Sequence, residues 1–138
     1  MNEMLNAYRQ NTVANAEYTD PHQLIAMLYD GAIEFLVRAI GHLEREEIQA
    51  KGELIGRVVA ILDSLNASLD HKVGDGSLSG NLSALYDYMQ RRLTEANLKN
   101  DVSMLREVHD LLAPLRDGWN GIPPEQRSRE AARASAPA

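Results

Sequence analysis

The stretch DPHQLIAMLYDGAIEFLVRAI, residues 20 to 40, constrains the fold more than any other part of the chain. Wound as a helix beyond Asp20, it carries charged Asp, Glu, Lys or Arg side chains only at Asp30, Glu34 and Arg38, one narrow line at i, i+4 and i+8. Leu24, Ile25, Met27, Leu28, Tyr29, Ile33, Phe35, Leu36, Val37 and Ile40 occupy most of the remaining circumference. A surface helix needs a single apolar stripe against its core. This one must lie between other helices, or keep part of its surface for a partner. Its start is written locally: Asp20 suits the N-cap, Pro21 the first helical position, and Gln23 the third residue of a capping box. It should run to about Gly41 or Leu43, with Gly31 a weak point inside it.

The acidic connection Glu44-Arg45-Glu46-Glu47 precedes a second helical period through Leu54, Val58, Ile61, Leu62, Leu65 and Leu69. The segment HKVGDGS ends it, with Gly74, Asp75 and Gly76 as turn residues. A third period follows Leu78, Leu82, Leu85, Met89 and Leu93, with Ser77 or Ser79 as cap. Asn100 or Asp101 then caps a fourth, whose apolar residues Leu105, Val108, Leu112, Leu115 and Trp119 alternate in steps of three and four. Pro114 falls inside that period and should kink the helix or force a local rearrangement. No stretch alternates as a strand does. Four helices joined by short connections imply an all-α, antiparallel up-down-up-down four-helix bundle. Its expected bounds are residues 19–120. Residues 1–18 read as a mobile N-terminal arm with isolated apolar residues at Met4, Leu5, Tyr8 and Val13. Residues 121–138 read as a disordered tail, because Pro123-Pro124 stop any helix and little that follows can be buried.

Composition excludes several functions. Fourteen basic against 20 acidic residues give a net charge of −6, the wrong sign for neutralising phosphates, so no nucleic-acid partner is expected. The chain has no cysteine, hence no disulfide framework and no thiolate, which suits a reducing compartment. No apolar run approaches a membrane span, and the N-terminus has no signal-peptide core, so no membrane insertion is expected. A di-iron bundle would need Glu-x-x-His on facing helices. Thr19, Ala39, Ser68 and Arg106 stand three residues before His22, His42, His71 and His109, so no metal site is expected and the histidines read as solvated or capping. No nucleophile elbow and no phosphate loop occurs. The chain therefore reads as neither an enzyme nor the holder of a cofactor.

What remains in excess is apolar helix surface. Ile55 and Val59 widen the stripe of the second helix, and Tyr86 and Tyr88 that of the third. Such residues either pack inside the bundle or line a groove for an amphipathic segment that supplies anchors at i, i+3, i+4 and i+7.

The order of motifs resembles a known family. Tyr8 and Asn11 are followed by DPHQLIAMLYDGAIEFL (20 to 36), AKGELI (50 to 55), LDSLNASLD (62 to 70), a glycine-bearing turn, NLSALYDYMQRRLTEAN (81 to 97), Asp101 and LREVHDLLAPLRDGW (105 to 119). This pattern, from about Tyr8 to Trp119, resembles the flagellin-specific export chaperones, the FliS family. The resemblance implies a cytoplasmic bundle without catalysis that binds the C-terminal segment of flagellin, keeps it from polymerising and presents it to the flagellar type III export apparatus. The partners it implies are that segment and an export gate component; self-association to a homodimer through the same surface is compatible with both. A helical adaptor for another amphipathic flagellar cargo or regulator is the alternative. Asp20 stands where the family often has Ser, an N-cap exchange. By helical wheel the client-binding residues should be Ile55, Val59 and Leu62 of the second helix and Tyr86, Met89 and Leu93 of the third. Tyr8 and Val13 of the arm complete the set, as mimics of client anchors. Asn97 and Asp101 have two readings, capping or holding client backbone.

Overall fold

A computed structural model of the chain describes residues 20–123. They form four helices in succession: α1 (Pro21–Glu44), α2 (Ile48–Ala67), α3 (Ser77–Lys99) and α4 (Val102–Asn120). Each packs on its neighbour in sequence, and α4 returns to α1, closing a ring in which the diagonal pairs α1/α3 and α2/α4 are held apart. Glu44 at the end of α1 pairs with Arg106 at the start of α4, and Lys51 at the start of α2 meets Asn97 at the end of α3. Neighbouring helices therefore run antiparallel, the expected up-down-up-down bundle. Among the described residues no helix is long and apolar enough to cross a membrane. The arm (1–18) lies outside the described residues, as does the tail beyond Pro123.

The apolar girth of α1 is absorbed by the bundle. Ile25, Tyr29, Ala32, Ile33, Leu36 and Ala39 are buried, and Leu28, Phe35 and Ile40 pack half-buried against the same core, while Asp30, Glu34 and Arg38 stay exposed. Val37, at 51% exposure, is the one large apolar residue of α1 left to solvent. Each buried Leu, Ile or Val contributes about 1.5–3 kcal/mol relative to exposure, enough to override the helix cost of Gly31, which lies buried in an unbroken helix.

Local chemistry fixes the ends. Asp20 caps α1 as expected, its Oδ1 accepting the Gln23 N–H at 2.8 Å. After α1 the chain reverses through Glu46 in the left-handed region (φ 60°), braced where Glu47 Oε1 takes Arg45 Nε at 2.8 Å and lies 2.9 Å from His42 Nδ1. Those contacts, His42 first and then Arg45, hold the Glu47 carboxyl below its usual range. The cap of α3 departs from expectation. Gly76 is the N-cap, at φ 80°, and Ser77 is already helical, its N–H bonded to Asp75 Oδ1 at 2.9 Å. Ser79 lies a turn further on, its hydroxyl donating back to the Gly76 carbonyl at 3.1 Å. Asn100 ends α3 at φ 53°, and Asp101 caps α4 by accepting the Ser103 N–H at 2.9 Å. α4 continues through Pro114 without interruption. Pro114 and Asp110, whose carbonyl loses its helical donor to the ring, are both exposed, so water can satisfy that carbonyl.

Candidate functional site

The core register of α3 differs from the leucine spacing. Ser79, Tyr86, Met89, Leu93 and Ala96 are the buried positions, whereas Leu78 is 63% exposed and Leu82 and Leu85 are half-buried. Tyr86, not Leu85, therefore points to the bundle axis, and its hydroxyl lies 2.6 Å from that of Tyr29 on the diagonal helix α1. The pair links two helices whose backbones are otherwise apart. Burial raises both phenols above the usual tyrosine range, and the neighbouring Tyr29 adds to the effect on Tyr86, so both stay protonated.

A cavity of about 90 Å³ lies against this pair. Ile25 and Tyr29 of α1, Leu65 of α2, Leu69 and Val73 of the turn, Leu78, Leu82 and Tyr86 of α3, and Trp119 of α4 line it, with Ser68, Asp70 and Ser79 as its other polar members. The exposure of Leu78 places a mouth at the surface. Beside it, α1 and α4 are clasped. His22, only 4% exposed, stacks on Trp119 with ring centroids 4.6 Å apart and planes 14° from parallel. Trp119 Nε1 donates to the His22 carbonyl at 2.8 Å, and His22 Nε2 lies 2.9 Å from the Trp119 carbonyl, so the Nε2–H tautomer donates back. The expectation of solvated or capping histidines thus fails at His22, which is a buried packing residue.

A second depression, wider and more polar, runs between α2 and α3 past Val59, Asp63, Gln90, Thr94 and Leu98. Gln90 Nε2 bridges the helices by donating to the Val59 carbonyl at 3.1 Å and to Asp63 Oδ1 at 2.6 Å. Leu98, 82% exposed, stands at its edge.

The residues expected to contact a client are distributed unevenly. Ile55, Leu62, Tyr86, Met89 and Leu93 are no more than 2% exposed and belong to the core. Val59 is half-buried and lines the α2/α3 depression. Tyr86 is the member of the set that borders the apolar cavity. Tyr8 and Val13 lie outside the described residues. The other cavity residues, Ile25, Leu69, Val73, Leu78 and Trp119, were visible in sequence only as seam or turn residues; the surplus of apolar residues flanking the glycine turn was the available signal. Asn97 does not cap. Its Oδ1 and carbonyl accept from Lys51 Nζ at 2.6 and 3.0 Å, and burial of that ammonium lowers its pKa. Asp101 does cap, which leaves its other expected role untouched.

Among the described residues no three His, Asp or Glu side chains converge as metal ligands would. The ionisable groups instead bridge helices. Glu107 of α4 accepts from Tyr88 at 2.5 Å and Arg92 Nε at 2.7 Å, both on α3, and these two bonds hold its carboxyl below the usual range.

The family model described as flagellar protein FliS matches residues 4–126. Over 116 residues the chain is 46% identical to the flagellar secretion chaperone FliSB of Pseudomonas aeruginosa, covering 83% of this chain and 91% of that one. It is 44% identical over 128 residues to the flagellar secretion chaperone FliS of Salmonella typhimurium, covering 91% and 94%. With the corresponding protein of Bacillus subtilis it shares 37% identity over 124 residues, 89% of each chain. The match spans every helix of the bundle as well as much of the arm, and on it the chain belongs to the FliS family of flagellar proteins.

Proposed function

We propose that this chain is a cytoplasmic chaperone of flagellar secretion that binds the C-terminal segment of flagellin, prevents its premature polymerisation and delivers it to the type III export apparatus through an export gate component. Membership of a family whose relatives are named flagellar secretion chaperones carries the proposal. The open apolar cavity at the α2–α3 turn supports it. An unfolded client loses ordering entropy when captured, and that loss must be offset by apolar contact. Leu78 and Leu98, exposed on a small acidic bundle, are surface of the required kind. Of the expected client residues, Val59 contributes surface directly. Ile55, Leu62, Met89 and Leu93 belong to the bundle core, and Tyr86 borders the cavity from that core.

Calorimetry of the full chain against a peptide of the flagellin C-terminal segment, at several temperatures, tests the proposal. One-to-one binding with a negative heat-capacity change is expected. Leu78→Asp, at an exposed position, should weaken binding without unfolding the bundle. Absence of binding would discard flagellin as the client and leave another amphipathic flagellar cargo in its place.

A further inference from the structure

We infer that Asn120, at the C-terminal end of α4, is a site of spontaneous covalent modification, cyclisation onto Gly121 with loss of ammonia, and that the His22–Trp119 clasp is the gate that sets its rate.

Asn120-Gly121 is the one Asn-Gly step in the chain. Glycine has no Cβ beside its backbone nitrogen, so that nitrogen closes onto the side-chain carbonyl carbon of a preceding Asn with the least steric hindrance. The Gly121 nitrogen gives its proton to water or hydroxide and bonds Cγ of Asn120. The Cγ–Nδ2 bond breaks, and the amide nitrogen leaves as ammonia. Water then opens the cyclic imide. Breaking its bond from nitrogen to Cγ leaves Asp, and breaking the bond from nitrogen to the main-chain carbonyl leaves isoaspartate. One water enters and one ammonia leaves, nothing is oxidised or reduced, and the chain gains one negative charge.

Both residues are exposed, and the Asn120 side chain has no hydrogen bond among the described residues, so water and hydroxide reach it. The helix supplies the restraint. Asn120 is the last residue of α4, and Gly121 caps it at φ −79°, its N–H donating to the Asp117 carbonyl at 2.9 Å. A helical N–H points back along the axis, away from the side chain before it, so ring closure waits until the last turn frays. The clasp holds that turn. The Trp119 carbonyl receives a long 3.3 Å bond from the Ile122 N–H and a 2.9 Å bond from Nε2 of the buried His22, a helix-end carbonyl satisfied from another helix. The product acts on the same turn. A carboxylate at the end of α4, close to exposed Asp117, opposes the helix dipole, and isoaspartate lengthens the backbone next to Trp119. Modification therefore loosens the clasp that restrained it, and with it one wall of the apolar cavity.

The test is peptide mapping by mass spectrometry of the full chain, incubated at mildly alkaline pH and sampled over time. The peptide containing Asn120 should gain about 1 Da and split into two products, ahead of those containing Asn66, Asn81, Asn97 and Asn100. In His22→Ala the rate at Asn120 should rise at least about fivefold, the change in local opening that one neutral hydrogen bond supports, with Asn66 and Asn97 unchanged. Gly121→Ala, which φ −79° accommodates, should suppress the reaction. Equal rates at Asn120 in the parent and in His22→Ala would overturn the gate. Asn120 left intact in the parent while a short peptide of residues 116–122 converts fully, or matched in rate by the other asparagines, would overturn the site. Should His22→Ala not fold, Trp119→Phe drops the Nε1 bond while keeping a ring on His22, and reads out the same gate.

Discussion

Removing the His22–Trp119 clasp should destabilise the bundle by an amount that can be worked out in parts. His22→Ala deletes the Nε2 hydrogen bond to the Trp119 carbonyl, about 1 kcal/mol, and the stacked contact at 4.6 Å, about 0.5–1.5 kcal/mol. Lost burial of the imidazole ring adds to this, so the expected total is about 2–3 kcal/mol. Trp119→Leu removes the same stack together with the Nε1 bond to the His22 carbonyl. Both variants delete the stack, so the double variant should be more stable than the summed losses imply, by about 1 kcal/mol. Urea denaturation followed by far-UV circular dichroism measures all four proteins, with the midpoint moving and the slope unchanged. Losses that add to within about 0.3 kcal/mol would refute the clasp as an energetic unit and leave two independent packing residues. Trp119 is the only tryptophan of the chain, so in His22→Ala its emission reports this end of the bundle alone.

Other perturbations follow from the same geometry. Asn97→Ala leaves the buried Lys51 ammonium with the backbone carbonyl as its one recorded acceptor and should cost about 1–3 kcal/mol near neutral pH. The folded state depresses the Lys51 pKa while the unfolded chain keeps the ordinary lysine value, so the penalty is full below the folded pKa. It is relieved as pH rises toward the unfolded one, and denaturation midpoints that stay flat into the alkaline range would contradict this. Gly76→Ala places a Cβ 3.0 Å from the His71 carbonyl oxygen at φ 80° and should cost about 1–2 kcal/mol, whereas Gly80→Ala, with nothing within 4 Å, should be neutral or stabilising; thermal melts compare the two. Pro114→Ala restores an N–H to the exposed Asp110 carbonyl and should stabilise by about 1–3 kcal/mol, read from the same melts.

The helices, their caps at Asp20 and Asp101, and the antiparallel order were legible in the sequence because they depend on local chemistry and on a period that repeats over many residues. The register of α3 was not. Leu78, Leu82 and Leu85 have the right spacing for a seam, but Tyr86 fills the centre because the diagonal Tyr29 satisfies its hydroxyl, a partner 57 positions away in sequence. The partnership of Asn97 with Lys51 was out of reach for the same reason: a buried lysine is tolerable only with acceptors at hand, and those come from the far end of another helix. The wheel argument found the apolar positions of α2 and α3 but could not separate Ile55 and Leu62, which face inward, from Val59, which reaches a groove. That distinction depends on where two neighbouring helices lie, and periodicity within one helix does not encode it.

The ring of four helices also has an order of assembly built into it. The α1/α2, α2/α3 and α3/α4 contacts each join helices adjacent in sequence, and such local pairings form quickly. Only the α1/α4 seam is distant, closed at one end by His22 and Trp119 across 97 residues. Loop-closure entropy makes such a contact the most expensive to form, with little compensation until its neighbours are in place. The seam should therefore close last in folding and open first in the folded protein. Trp119 is part of the cavity wall, so each such opening widens the cavity while α2 and α3 stay paired, and a client could enter a chaperone that has come apart along one edge only.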